Sequence, residues 1–314
     1  MEFRQLGNSG LMVSAVGLGT NNFGFRMDEE SSIKVVHQAI EEGINFLDTA
    51  DSYGRGLSED RIGKAIKGVR SEMIIATKVA NPVGEGTNDR GASRHHIMGQ
   101  VDASLRYLQT DYIDLYQIHR VDPRTPIEET LRALDDLVHQ GKVRYIGCSN
   151  FDAWQVCEAV WTSKSLNLAS FISVQPEYNM INREVETDLM PFCHAYGIGV
   201  LPYVPLASGF LTGKYRVGEP IPDGTRLSGN SRAQERALTE RNFKVLSNLE
   251  KFAREKGYTM VELAINWLLA DKCVSSVIAG ATSIEQVKAN SKAADWQLSA
   301  GDKKDVDAIL TSDA

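Results

Sequence analysis

The groups in this chain that could do chemistry follow a series of short apolar runs. In FLDTADSYG, residues 46–54, an apolar pair gives way to Asp48, Thr49, Asp51, Ser52 and Tyr53. Further on, MIIATK ends on Lys78, YIDLYQIH on His119, VRYIGCS runs into Ser149 and Asn150, FISVQ ends on Gln175 and IGVLPY on Tyr203. Each has an ordinary structural reading alone: Asp, Ser and Gly form turns, a terminal Lys caps a strand in solvent, and His, Asn or Gln satisfies nearby backbone. Brought to one place, they suit proton donation to a carbonyl oxygen. Free tyrosine, with a pKa of ~10, is a poor acid at neutral pH, and an adjacent cation lowers that value. Lys78 can supply the cation, Asp48 its counter-charge, and His119 a hydrogen bond that directs the substrate oxygen. Ser52 and Gly54 mainly shape the turn.

Bringing these residues together requires a fold in which successive strand ends share one face. The chain repeats one unit, a β-branched run, a polar turn and a segment with helical apolar spacing. Strands are expected at 14–19, 44–48, 73–78, 112–119, 143–149, 171–175, 198–203 and 275–280. Ile33, Val36 and Ile40 form a helical stripe after DEESS, and Ile62, Ala65 and Ile66 another after a Ser-Glu-Asp cap. Pro126 sits where a first-turn proline belongs, ahead of Leu131, Leu134 and Val138. Eight such units favour a (β/α)8 barrel spanning residues 1–314 as one domain, with catalytic groups at the carboxyl ends of its strands. An N-terminal hairpin is expected to turn at Asn8-Ser9-Gly10, and insertions stand at 80–93 and, after the seventh barrel strand, at 206–238. The alternative is a doubly wound nucleotide-binding sheet, which needs GxGxxG directly after its first strand; GLGTNNFG at 17–24 has the wrong spacing.

Composition narrows the function classes. With 34 Lys+Arg against 41 Asp+Glu, the net charge of -7 disfavours a nucleic-acid or anionic-membrane surface, while leaving room for a local basic pocket. The cysteines Cys148, Cys157, Cys193 and Cys273 form no CxxC pair, and His194 has no sequence-adjacent ligands, so no metal site and no disulfide framework is expected. The opening MEFRQLGNSG lacks a signal-peptide core, and no apolar run approaches ~20 residues. A soluble, cytoplasmic protein is expected.

In order along the chain, DTADSYG (48–54), TK (77–78), LYQIH (115–119), GCSNF (147–151), Gln175 and LPYVPLASGFLTGKY (201–215) resemble the motifs of the aldo-keto reductases. The likeness runs from the hairpin to at least residue 293, and its pattern is most similar to the longer microbial reductases and the potassium-channel β subunits. The resemblance implies a catalytic tetrad of Asp48, Tyr53, Lys78 and His119. It implies nicotinamide contacts from Ser149, Asn150 and Gln175, a stacking Tyr203, and cofactor contacts at Gly19 and Thr20. Phosphate contacts would come from Leu206, Ser208, Gly209, Leu211 and Lys214, and adenosine contacts from Gly280, Thr282, Gln286 and Asn290. Two departures from the family pattern stand out. Asn21 and Asn22 occupy a place that is often aromatic, which implies a more polar substrate pocket, and the last barrel helix opens without Lys or Arg for a 2'-phosphate. Arg226 in the long loop is expected to replace that cation, giving a preference for NADPH, with NADH possible.

These residues imply an NAD(P)H-dependent carbonyl reductase acting on a small molecule. A nicotinamide-binding regulatory subunit with slow turnover stays open, although the sequence shows no added N-terminal segment to act on a partner. A lyase using Lys78 as a Schiff-base nucleophile is disfavoured, because a lysine paired with Asp48 stays protonated. Neither the substrate nor the oligomeric state is written in the sequence.

Overall fold

The computed structural model describes residues 1–312. Strands β1 (Phe3–Gln5) and β2 (Met12–Ser14) form the antiparallel hairpin, with Phe3 opposite Ser14 and Gln5 opposite Met12. Eight parallel strands follow: β3 (Val16–Gly19), β4 (Phe46–Asp48), β5 (Ile74–Val79), β6 (Ile113–Ile118), β7 (Val143–Ser149), β8 (Phe171–Gln175), β9 (Gly199–Val200) and β10 (Val277–Gly280). Each of β3 to β8 pairs with the next in chain order, and β10 returns to β3 with Gly280 opposite Gly19. The β9–β10 seam is held by isolated bridges, Val200 to Val274 and Tyr203 to Ile278, and the Ile278 amide donates to the Pro202 carbonyl at 2.9 Å. The expected (β/α)8 barrel is therefore present, with a sparse ladder at its last seam.

The strands read as nearly continuous apolar runs because both of their faces are buried. On the outside pack α1 (Glu29–Glu41), α2 (Leu57–Ala65), α3 (Arg94–Leu108), α4 (Ile127–His139), α5 (Ala153–Leu166) and α6 (Leu189–Tyr196). The long insertion after β9 holds a 3-10 turn at Ala207–Thr212 and then α7 (Ser231–Ala237); α8 (Glu240–Lys256), α9 (Met260–Leu269), α10 (Ile284–Lys292) and α11 (Ala300–Thr311) complete the chain. Inside the barrel a separate core of Phe46, Ala76, Leu115, Leu201 and Ile278 continues into Leu6 and Val13 of the hairpin, which closes the end where the strands begin. This core explains the first glycine of 17–24. A Cβ on Gly17 would lie 2.8 Å from the Phe46 ring, so Gly17 yields space to the barrel interior.

Two helix starts differ from expectation. Pro126 is the N-cap of α4, one place before the first turn, where its fixed φ still suits the entry. α2 starts at Leu57 behind Gly56, whose φ of 88° turns the chain, so Ser58 and Glu59 lie inside the helix and are buried, not capping it. Among the described residues no helix is long and apolar enough to cross a membrane.

Candidate active site

The carboxyl ends of the strands open into a cleft of about 750 Å³. At its floor, β4 ends on Asp48 and its neighbour β5 carries Lys78, fully buried. The Lys78 ammonium donates to Asp48 Oδ1 and Oδ2 and to the Thr49 carbonyl, each at 2.8 Å. Burial pulls the Lys78 pKa down, but the charge of Asp48 and the nearby Tyr53 outweigh it and the net shift is upward. Lys78 is thus a fixed cation with no free lone pair, which removes the geometric basis for a Schiff-base nucleophile. Gln175 Nε2 also donates to Asp48 Oδ1 at 2.8 Å, tying β8 to the same carboxylate.

Tyr53 stands above this pair in the turn after β4, its ring centroid 5.2 Å from Lys78 Nζ and 5.8 Å from the His119 ring, edge-on at 76°. The sequence suggests a phenol made more acidic by Lys78. In the structure burial is the larger influence and pushes the Tyr53 pKa up, while Lys78 pulls it back only in part. The lysine therefore limits the cost of burying the phenol, and does not by itself bring Tyr53 to neutrality.

His119 follows β6 and is held down to about 2, first by burial, then by the charges of Lys78 and Arg120. It is a neutral imidazole at any working pH. Asn81 Nδ2 lies 2.9 Å from His119 Nδ1; with the amide donating, Nδ1 accepts and Nε2 keeps the hydrogen that can point at a substrate oxygen. Asn81 went unnoticed in the sequence because it lies in the 80–93 insertion with no strand end to mark it.

The upper wall is a connected polar network. Ser149 Oγ donates to the Gln175 carbonyl at 2.8 Å, Asn150 Nδ2 to the His119 carbonyl at 2.9 Å, and the Tyr203 hydroxyl to Asn150 Oδ1 at 2.7 Å. Beyond them the chain after β9 adopts left-handed conformations at Val204, Ala207, Ser208 and Gly209. For β-branched Val204 (φ 55°) this is strained, and turns of this kind aim backbone N–H groups into a concavity suited to anions. Leu206, Ser208, Gly209 and Lys214 line the cleft there. Leu211 does not: it is fully buried in the core beneath the loop, and its amide donates to the Leu206 carbonyl, so its expected phosphate contact is corrected.

Arg226 crosses the cleft, donating to Asn21 Oδ1 at 2.6 Å and passing close to Gly280. Burial, and then the charge of Arg26, hold its pKa below the usual guanidinium value, so an anion beside it would be welcome. At the start of α10 the Thr282 amide and hydroxyl both donate to Gln286 Oε1, at 2.9 and 3.2 Å, and Asn290 reaches the Gly280 carbonyl at 3.5 Å. Gly19, Thr20, Asn21 and Asn22 complete the opposite wall. Of the expected site residues, the cleft gathers all but Leu211 and the fully buried Lys78, which lies directly behind Asp48.

A nicotinamide dinucleotide suits this donor set. Amide and hydroxyl groups gather at the Tyr53 end, an aromatic face stands at Tyr203, a left-handed loop and a half-buried arginine follow, and a helix N-terminus lies at the far end.

Behind Lys78, two acids that read as turn and cap residues are buried. Glu59 accepts from the Thr77 hydroxyl at 2.6 Å, and burial pushes its carboxyl up to about 7 against the smaller pull of Thr77, Ser104 and Lys78. Asp51 is raised well above the carboxylate range by burial and then by Glu59. A native acid with a raised pKa keeps a proton that the unfolded chain releases, so stability falls as pH rises from about 4.5 to about 7 and levels off above. Glu59→Gln retains an oxygen for Thr77 and removes this dependence. Thermal denaturation across that window should show the variant gaining on wild type as pH rises, by at most on the order of 3 kcal/mol. Parallel melting curves would contradict the assignment.

At the opposite end of the barrel, His194 does have neighbours that its local sequence did not reveal. Its Nε2 lies 2.9 Å from Asp271 Oδ1, and one ligand atom each from His194, Asp271 and Cys273 falls within 4.8 Å of the others. Asp271 also accepts from the Cys273 amide at 2.9 Å, so the His194–Asp271 contact joins α6 to the turn before β10.

A barrel with a buried carboxylate–lysine pair, a tyrosine and a neutral histidine at the carboxyl ends of adjacent strands defines a class of oxidoreductase. A family model described as "Aldo/keto reductase family" matches residues 15–311, and the chain belongs to that family, whose general chemistry is NAD(P)H-dependent oxidoreduction. A probable voltage-gated potassium channel subunit beta of Arabidopsis thaliana is 40% identical over 302 residues, covering 94% of this chain and 92% of the relative. Aldo-keto reductase YhdN of Bacillus subtilis is 36% identical over 317 residues, covering 99% and 94%.

Proposed function

We propose that the chain reduces a small-molecule aldehyde or ketone to an alcohol, with Tyr53 as general acid and NADPH as the preferred reductant. The observation that carries this reading is the convergence of Tyr53, neutral His119 and the buried Asp48–Lys78 pair at the floor of one cleft. When bound, the nicotinamide supplies a hydride to the carbonyl carbon. The chain's own residues do the rest. His119 Nε2–H orients the carbonyl oxygen, and the Tyr53 hydroxyl delivers the proton that this oxygen gains. Lys78 stabilises the phenolate left behind, and Asp48 with Gln175 fixes Lys78. Ser149, Asn150 and Gln175 hold the carboxamide, and Tyr203 offers its ring as a stacking face. The direct test follows NADPH oxidation by its near-ultraviolet absorbance over a panel of carbonyl compounds; no turnover with any of them would refute it.

The second reading, a nicotinamide-sensing subunit of a larger assembly, is favoured by the likeness to proteins named as potassium-channel β subunits. Turnover number separates the two: a reductase should approach the usual enzyme range of about 1 s⁻¹ or more, whereas a sensor need not.

The choice of cofactor turns on Arg226. The start of α10 offers Thr282, Ser283 and Gln286 but no cation, so a 2'-phosphate would depend on this guanidinium. Arg226→Ala should weaken NADPH binding by about tenfold or more, the scale of one lost charge-assisted bond, and NADH binding much less. Added salt should narrow the wild-type preference. Equal weakening of the two cofactors, measured as Kd by fluorescence quenching, would defeat the assignment.

A further inference from the structure

The cleft holds more positive charge than the groups above can use. Lys78 is neutralised by Asp48, while Lys214 and Arg226 stand where phosphates would lie. Arg26 and Arg120 line the same cleft, are exposed, and make no side-chain ion pair or hydrogen bond among the described residues. Several arginines elsewhere sit on acids, Arg70 and Arg144 on Asp114 and Arg183 on Glu186, and others, such as Arg55 and Arg90, are exposed without an ion-pair partner among the described residues; what sets Arg26 and Arg120 apart is that they line the cleft. In a protein with net charge -7, two unpaired guanidiniums in a cleft whose lining acids are Asp48 and the exposed Asp223 call for an anion.

Their positions suggest which anion. Arg26 lies in the loop after β3 and Arg120 directly follows His119 after β6, while Tyr53 comes from β4 between them. The two arginines therefore flank the proton-donating groups from either side. Arg120 is near enough for its charge to act on both His119 and Tyr203. Arg26 acts on Arg226, which is itself bonded to Asn21 of the pocket wall.

We propose that the substrate is an anionic carbonyl compound, whose carboxylate or phosphate a few bonds from the aldehyde or ketone is gripped by Arg26 and Arg120. This rests on the reductase reading. A guanidinium fork matches either oxyanion, and such a grip away from the reacting centre fixes the carbonyl oxygen against Tyr53 and His119. It also gives the polar Asn21–Asn22 wall a purpose, because an aromatic there would meet a charged group.

The experiment compares matched substrates. The ratio of kcat/KM for succinate semialdehyde over butanal tests a carboxylate, and that for glyceraldehyde 3-phosphate over glyceraldehyde tests a phosphate. At least one ratio should reach about tenfold, the scale of one charge-assisted contact, should fall by about tenfold in Arg26→Gln and in Arg120→Gln, and should shrink with salt. Whichever pair responds names the anion. Ratios near one in both pairs, or ratios that survive both substitutions, overturn the proposal. A second arm needs no turnover: calorimetric titration of the NADP+-saturated protein with succinate and with neutral succinamide. Succinate alone should bind, and either arginine variant should lose that binding; equal behaviour of the two ligands overturns the proposal. If every carbonyl fails while succinate still discriminates, the reductase reading falls and the anion site stands.

Discussion

Tyr53→Phe is expected to lower kcat by about 100-fold or more, while the cofactor Kd stays near wild type. The substitution removes one oxygen and keeps the ring that packs edge-on against His119. Nothing else at the floor of the cleft can replace the lost donor. His119 is held neutral, so its Nε2–H is a hydrogen-bond donor but a very weak acid, and the Lys78 ammonium donates to Asp48 and Thr49. Because the hydroxyl acts in the transition state and not in holding the cofactor, the loss should fall on kcat and on kcat/KM alike. A variant with near-normal kcat on its best substrate would sink the assignment.

Lys78→Met should have the second largest effect, and on two properties at once. Removing a fully buried ammonium leaves Asp48 buried with only the Gln175 amide to satisfy it, a situation that costs roughly 3 kcal/mol or more of stability. The rate should collapse as well, and any residual activity should show an apparent pKa displaced upward, since the cation that favours the phenolate is gone. Pairing the change with Asp48→Asn should restore part of the stability and none of the rate. That combination distinguishes a charge needed for chemistry from one needed only for folding. An unshifted pH profile in the single variant, with substantial rate, would argue against the role given to Lys78.

How far the sequence reveals this site depends on the kind of signal each residue carries. Asp48, Lys78, Gln175 and Tyr203 are legible because each breaks an apolar run, and a barrel converts strand ends into neighbours. The eight strands are legible for the same reason, down to the two-residue β9, whose Gly199 and Val200 are both buried. Leu211 was misplaced because an apolar residue in a Gly-rich loop gives no sign of which way it faces; in the structure it fills the core. Arg26, Arg120 and Asn81 are polar residues in irregular loops, where no periodicity distinguishes a cleft wall from open solvent. Asp51 and Glu59 failed in the opposite direction. Both belong to residue types that form turns and caps, and only Gly56, by starting α2 earlier, carries Glu59 inward. The donors around His194 were invisible for a simpler reason: Asp271 and Cys273 lie far along the chain and meet it only in space.

The seam between β3 and β10 sets a condition on how this protein comes into being. Gly19 and Gly280 lie opposite one another although nearly the whole chain separates them, and Thr20 and Asn290 share one cleft. Contacts so distant in sequence pay a large loop-closure cost and form late. On the ribosome, β10 and α10 emerge after every other barrel strand, so the walls of the cleft cannot meet until these two segments have been made. A nascent chain stalled before β10 would already own its tyrosine, lysine, aspartate and histidine, yet would lack the wall that faces them.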